Sequence, residues 1–439
     1  MKNFMQKNKR FVSFLIVFII SSLLYKGYKV IQYNNNKVDK EIVTLVLENN
    51  EINKGIVDIV TNYNHSNDEI YINLILNSDD YTNLVNTKLA NNNDIDILQY
   101  NSKTLIEKGF IQPLSNLNID LSNVTDNSLF LYNDEVIGVK YGMAMPKIMY
   151  NKDLLIEAGI DPDFTPKNLD ELINMAEKIK EKFPEITPLD ISLSYIHDLF
   201  SLLGTISSSE NTTYPTFWNY KTARYDYSGL QEVLVKFNTM YEKGLINKNI
   251  DTKKSVEMFD DFKDEKSAMM ITNYYSKYSI MDRLEGMNLK FSNIPFETEG
   301  EGKLFYYTYP RILVIADNNI EANDKHNLAV KEVYEWLLSE EVTSHLVEND
   351  SNFASFGNNY LKNDMYDEIN NNTNYNHLEK DPTEVLVGNS TIIKNHIISM
   401  IRGEEEITSG IKNLENEIND FIKNNSRNAD VNLDYYKEN

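Results

Sequence analysis

The chain has 439 residues, with 43 Lys or Arg against 66 Asp or Glu and a formal net charge of −23. An acidic chain is repelled by a phosphate backbone, so nucleic acid is not expected as a partner. The absence of cysteine excludes disulfides, thiolate metal sites, Cys nucleophiles and a Cys-linked lipid anchor.

The predicted elements start with a targeting segment. Lys2, Lys7, Lys9 and Arg10 precede an apolar run from Phe11 to Tyr25. A basic head before an apolar run reads as a signal anchor or signal peptide over residues 1–29. No Ala-x-Ala-like site follows, and Tyr25 to Lys29 is a poor cleavage context, so an uncleaved transmembrane anchor is expected ahead of a cleaved signal. The leading basic cluster predicts the amino terminus inside and the body outside. The Asn-rich residues 30–40 read as a stalk.

From Glu41 the pattern alternates. Ile42 to Leu47 reads as a buried strand, Ile52 to Tyr63 as a helix and Ile70 to Leu76 as a strand. Tyr81, Leu84, Val85 and Leu89 form a helix stripe, and Ile95 to Gln99 a third strand. This is the βαβ pattern of a parallel sheet, an α/β fold. Ligands of open α/β sheets bind beyond the carboxyl ends of strands, which nominates Glu48, Asp80, Tyr81 and Tyr100. Further on, Asn168 and Glu171 form a capping box before a helix, and Ser228 and Gln231 a second one. Gly244 fits a left-handed helix stop. Arg311 to Ala316 reads as a strand and Leu328 to Leu338 as a helix with Trp336 in its core stripe. Thr391 to Ile422 reads as helical, with breaks at Gly403 and Gly410.

Catalytic patterns are missing from the sequence. There is no Gly-rich phosphate loop and no Gly-x-Ser-x-Gly elbow, and the six histidines stand apart from one another. No cofactor or metal is implied, and no enzymatic activity is expected. Paired carboxylates for glycoside hydrolysis are a spatial signature with no specificity among 66 acids.

Several blocks together carry a family resemblance. They are Asp94 to Ile97 with Leu105 to Leu114, then Tyr141 to Pro146, Met149 to Leu155 (MYNKDLL), Glu157 to Ile160 and Thr165 to Glu171. Phe262 to Met269 (FKDEKSAM) and Ile407 to Ile422 complete the set. In this order they resemble the extracellular solute-binding proteins, family 1, of bacterial ABC importers, the family of the maltose/maltodextrin-binding proteins. The resemblance covers nearly everything after Glu41. It implies a two-lobed periplasmic-binding-protein fold of type II, with a hinge and an inter-lobe cleft. By analogy the amino-terminal lobe is 41–145 plus 294–318, the carboxy-terminal lobe 147–292 plus 319–425, and 426–439 a tail. Three departures stand out. The lipobox Cys is absent, a task the amino-terminal anchor would perform. Glu265 replaces a turn Gly, and Asn273-Tyr274-Tyr275 stands where the family has an aromatic Trp motif.

The resemblance implies three aromatic ligand contacts, at Tyr100, Tyr195 and Tyr275, with Tyr274 the alternative to its neighbour. Tyr307, Tyr309 and Arg311 precede the strand that returns through the hinge, and Trp218 lies in a loop that either covers the cleft mouth or caps the second core. The implied function is capture of a small polar solute, a sugar or oligosaccharide foremost, by a monomer outside the cytoplasmic membrane. The implied partners are permease subunits with a cytoplasmic ATPase. A tethered solute-sensing receptor and, less favoured, a secreted carbohydrate-active enzyme remain open alternatives.

Overall fold

The computed structural model describes residues 40–49, 53, 55–77, 81–91, 95–124, 128–144, 146–208, 212–272, 284–294, 309–317, 324–349, 381–386, 391–426 and 433–437. The expected anchor, and the stalk up to Val38-Asp39, lie outside the described residues. Among the described residues no helix is long and apolar enough to cross a membrane.

β1 (Glu41–Glu48), α1 (Gly55–Ser66), β2 (Ile70–Asn77), α2 (Tyr81–Ala90) and β3 (Ile97–Gln99) follow the alternation expected from the sequence. β1 pairs in parallel with both β2 and β3. Its side chains divide with a period of two. Val43, Leu45 and Leu47 share a core with Ile56, Ile59 and Val60 of α1, while Val46 joins Val85 and Leu89 of α2 on the other face. Cover on both faces explains why the strand is a continuous apolar run rather than an alternating one.

α3 (Lys103–Glu107), β4 (Ile111–Gln112), β5 (Leu129–Tyr132) and β6 (Glu135–Ala144) complete the first pass. Next come β7 (Lys147–Asn151), α4 (Lys152–Glu157), α5 (Leu169–Lys182), β8 (Thr187–Asp190), α6 (Ile196–Leu199), β9 (Trp218–Asn219) and β10 (Arg224–Tyr225). α7 (Leu230–Glu242), α8 (Ser255–Lys263), β11 (Ser267–Thr272), β12 (Leu289–Asn293) and β13 (Tyr309–Ala316) follow. The chain closes with α9 (Lys325–Leu337), α10 (Glu340–Asn349), a short helix at Thr383–Leu386, α11 (Thr391–Ile401) and α12 (Ile407–Ser426).

Two main sheets result. The first has the order β2-β1-β3-β13-β6-β5, with β4 on β13, and the second the order β12-β7-β11-β8. The chain therefore leaves the first sheet after β6 and returns to it at β13. In the second sheet Met149 and Met270 pack on Met258, Phe259 and Phe262 of α8, while Ile148, Tyr150 and Met269 belong to the larger core with α5 and α7.

Some local expectations need correction. α9 and α10 do not join the second lobe, although 319–425 was assigned there. Val330, Val333, Tyr334 and Leu346 share the core of β1 and α1, and the Tyr334 hydroxyl donates to the Leu313 carbonyl at 2.8 Å. Residues 381–426 pack with the second sheet's helices, as where Tyr225 and Thr383 join their hydroxyls at 2.8 Å. The carboxy-terminal residues are not a free tail, because Tyr436 is buried and its carbonyl accepts from Trp218 Nε1 at 3.0 Å. Ser228 does not cap α7; its hydroxyl donates to Asp226 instead. Asn168 does cap α5, accepting from the Glu171 N–H at 2.9 Å. Gly403 breaks the last helical region at φ +73°, but Gly410 lies inside α12, where a Cβ would meet the Met400 sulfur at 2.7 Å. Glu265 adopts φ +59°, the left-handed turn that the family gives to Gly, at a cost of about 1–2 kcal/mol.

At the amino end of the first sheet, His326 lies between two carboxylates. Its Nε2 is 2.8 Å from Asp96 Oδ1 and its Nδ1 is 3.0 Å from Glu41 Oε1, while Asp96 Oδ2 accepts from the Thr44 N–H at 2.8 Å. The hydrogen bond to Asp96, reinforced by Glu41 and opposed by burial, raises the imidazole from 6.5 to about 9. A raised histidine stabilises the fold fully below its unfolded value and ceases to do so as pH climbs through its folded one. The thermal midpoint should therefore drop between about pH 6.5 and pH 9. His396, raised by Glu405 and Glu417 against burial, acts in the same direction, so the comparison of wild type with His326→Gln is the informative one. Circular-dichroism melts across that window should show a shallower decline in the variant.

Candidate functional site

The strand directions bring two sheet edges together. In the first sheet β1, β2, β3 and β6 end at the same edge, where antiparallel β13 begins; Tyr309 pairs with Ala144. In the second sheet β8, β11 and β12 end at one edge, where antiparallel β7 begins; Lys147 pairs with both Thr272 and Asn293. Ala144 ends β6 and Lys147 starts β7. Three Cα steps of 3.8 Å hold these edges within about 11 Å of each other at that point. The return from β12 to β13 also runs from one of these edges to the other.

The first edge carries a buried polar cluster. The Asn53 amide donates to the Glu48 carbonyl at 2.7 Å and to Gln99 Oε1 at 3.0 Å. The Tyr141 hydroxyl is shared between Asn53 Oδ1 at 3.0 Å and Gln99 Oε1 at 3.2 Å. Gln99 Nε2 reaches the Glu48 carboxylate at 3.4 Å. Burial pushes the Tyr141 phenol up to about 12, while the neighbouring Arg311 guanidinium pulls it down and Glu48 adds to the rise. Arg311 is itself buried. Two amides, a carboxylate, a phenol and a guanidinium thus meet where four strands and β13 converge.

The second edge carries an aromatic ring on a fixed loop. Asp190 ends β8, and residues 191–195 follow it. The Ile191 N–H donates to Asn247 Oδ1 at 2.9 Å, the Leu193 N–H to the Ile250 carbonyl at 2.6 Å and the Ser192 hydroxyl to the Lys253 carbonyl at 2.7 Å. Lys394 of α11 donates to the Ser194 carbonyl at 2.9 Å. At the end of this tethered loop Tyr195 is 59% exposed, while its N–H reaches Asp198 Oδ2 at 3.4 Å. Beneath it Lys253 pairs with Asp190 at 2.5 Å and with Asp261 at 2.6 Å. Burial pushes Asp190 up to about 6 against the pull of Lys253. Asp198, Ser201 and Thr272, with Leu202, Met258 and Ile271, line a small depression at the same edge. There α6 continues into a π turn at Phe200–Gly204, and Gly204 passes so near Pro215 that a Cβ would sit 1.7 Å from its carbonyl oxygen.

Of the residues expected at a site, Glu48 and Arg311 join the first cluster and Tyr195 is presented at the second edge. Three others are buried. The Tyr100 ring is buried and lies against Phe130, centroids 4.9 Å apart, because its strand end turns toward the α2 core. The Tyr81 hydroxyl is committed to the Gln99 and Val46 carbonyls at 2.6 and 3.2 Å. Trp218 is fully buried, so it caps the second core rather than covering a cleft. Asp80, Tyr274, Tyr275 and Tyr307 lie outside the described residues, as does the side chain of Tyr309. Asn53, Gln99 and Tyr141 were not foreseen. Gln99 carried a usable signal, a polar residue closing an apolar strand; Tyr141 and Asn53 look ordinary until the strands are aligned.

The pattern of the bacterial extracellular solute-binding proteins matches residues 58–371. The sequence matches no curated protein at a significant level. Among solved structures, the cyclic α-maltosyl-1,6-maltose binding protein of Arthrobacter globiformis shares 15% identity at TM-score 0.66, over 88% of this chain and 100% of its own. The GacH receptor of Streptomyces glaucescens, solved unliganded and with acarbose, shares 16% at TM-score 0.67, over 88% and 99%. An ABC transporter solute-binding protein of Thermotoga lettingae, bound to α-D-tagatose, shares 16% at TM-score 0.66, over 87% and 100%. At these identities the likeness is one of fold.

The first cluster can be tested through stability. Tyr141→Phe removes the hydroxyl donor shared by two buried amide oxygens. Leaving such acceptors short of a donor costs about 1–3 kcal/mol. Urea unfolding should show a lower midpoint for the variant with an unchanged slope.

Proposed function

This chain belongs to the bacterial extracellular solute-binding proteins, and from that membership we propose that it captures a sugar or oligosaccharide between its two sheets. The observation that carries the reading is the meeting of two complementary edges, joined by only two residues between Ala144 and Lys147. One edge offers amides, a carboxylate and a guanidinium, the planar polar groups that hydroxyls require. The other offers the exposed Tyr195 ring, on which the apolar face of a sugar stacks. Solved proteins of this fold are complexed with acarbose, tagatose and stachyose, which supports the sugar class for this one.

The mechanism is population shift. A ligand that touches both edges binds the closed arrangement more tightly than the open one, so it draws the equilibrium toward closure. The chain segments linking the sheets act as the hinge. The closed, loaded protein then presents itself to a membrane permease driven by an ATPase, and the amino-terminal segment keeps it at the outer face of the membrane. Capture proceeds without covalent change to the solute.

A thermal-shift panel of mono- and oligosaccharides, polyols, peptides and anions tests this. A sugar at ~100 times its dissociation constant should add ~2.7 kcal/mol of stability, seen as a raised midpoint. Tyr195→Ala should shrink the shift while leaving the unliganded midpoint in place, because the ring is on the surface. Stabilisation by peptides or anions alone would overturn the sugar assignment.

A further inference from the structure

The first lobe has a second concavity that shares no residue with the paired edges. It lies among α1, α9 and α10, holds about 500 Å³ and is open to solvent. That volume falls in the ordinary range of small-molecule sites, about 300–1,000 Å³. Trp336 and Tyr63 form its aromatic part, with ring centroids 4.3 Å apart and planes tilted by 45°. The sequence placed Trp336 in a core stripe; the residue is only half-buried, and the groove explains why.

The ring pair is held in place. The Tyr63 hydroxyl accepts from the Asn67 amide at 2.9 Å and donates to Glu332 at 3.4 Å. The same Asn67 amide reaches Glu332 at 3.4 Å. Trp336 is thereby backed by a tyrosine whose position is fixed at both ring and hydroxyl. Around it the lining is polar: Asn62 from α1, and Glu341 and His345 from α10. An aromatic wall with an amide and a carboxylate at the rim does not suit a purely apolar guest. The carboxylates of Glu332 and Glu341 disfavour an anion. A neutral guest with one apolar face and several hydroxyls satisfies both parts.

We propose that this groove is a second binding site for a small neutral carbohydrate, a mono- or disaccharide stacked on Trp336 with its hydroxyls on Asn62 and Glu341. The site lies in the helical layer outside the paired edges, so its occupancy does not depend on hinge closure or on the reading of the first site.

The chain has two tryptophans, Trp218 and Trp336, and Trp218 is fully buried. Acrylamide quenching of the full-length protein therefore reports on Trp336. Glucose, galactose, maltose and sucrose are titrated in turn. At least one should protect the quenchable tryptophan saturably, with the same midpoint in Tyr195→Ala, and several-fold more weakly in Asn62→Ala or Glu341→Gln. Asn62 and Glu341 are exposed, so these variants should fold as wild type, which circular dichroism checks. Four results would overturn the proposal. They are no protection by any of the four sugars, protection lost in Tyr195→Ala, protection unchanged in both rim variants, or a signal that persists in Trp336→Phe. A thermal shift that Tyr195→Ala leaves unchanged, with an intact quenching response, would instead count against the first site alone.

Discussion

The rest of the structure depends on how the chain crosses between its sheets. β6 runs out of the first sheet at the edge where β1 and β3 end, and β7 enters the second where β8 and β11 end. With two residues between them, the chain has no length in which to route the second sheet elsewhere. The return into β13 is made from the same edge of the second sheet to the same edge of the first. In an open α/β sheet the carboxyl edge is where strand ends leave backbone groups and loop side chains available to a ligand. The crossing therefore sets two such edges against each other, and any residue placed at one of them becomes a candidate to meet a solute held by the other.

The two edges solve different physical problems. On the first, polar side chains are buried and must satisfy one another. Asn53, Gln99, Tyr141 and Glu48 are joined by shared hydrogen bonds, with Arg311 beside them. A network of this kind is rigid because each member loses a partner if another moves. On the second, a ring is left in solvent, and rigidity is supplied from below. Hydrogen bonds to Asn247, Ile250 and Lys253 and one from Lys394 hold three backbone groups and the Ser192 hydroxyl of residues 191–194, so Tyr195 is presented by a loop with little freedom left to lose. Fixing a binding group before the ligand arrives lowers the ordering cost of association. Both edges are preorganised, one by mutual satisfaction and the other by anchorage.

How much of this was legible in the residues depends on the range of the interaction concerned. The first βαβα unit is local: the apolar runs and helical stripes between Glu41 and Gln99 are complete in themselves, and the structure follows them. The cap at Asn168 is equally local. Ser228 failed as a cap because Asp226, two residues earlier, competes for its hydroxyl. Gly410 looked like a break because a glycine in a helical pattern has two meanings, and only the nearness of Met400 decides between them. For the site, Glu48 was readable as a strand end. Tyr100 and Tyr81 were strand-end and helix-start residues too, but their rings turn toward the α2 core, a choice made by side-chain packing that spacing does not record. Tyr141 and Asn53 meet across 88 positions of sequence and gave no local sign at all.

Sequence distance also explains why the last third of the chain matters to a site it does not visibly contain. After β13 the chain packs α9 and α10 back onto the first sheet, then reappears beside the second sheet at residue 381. α11 and α12 bury Ile393, Ile397 and Leu414 in the core that also holds Leu193, Ile196 and Leu199 around the Tyr195 loop. Lys394, one residue beyond Ile393, is then positioned to hold the Ser194 carbonyl. The same segment that completes the second core thus immobilises the loop that displays the ring. Packing and presentation are consequences of one helix docking, and a chain lacking that helix would keep the residues of the second edge while losing the support that makes them a site.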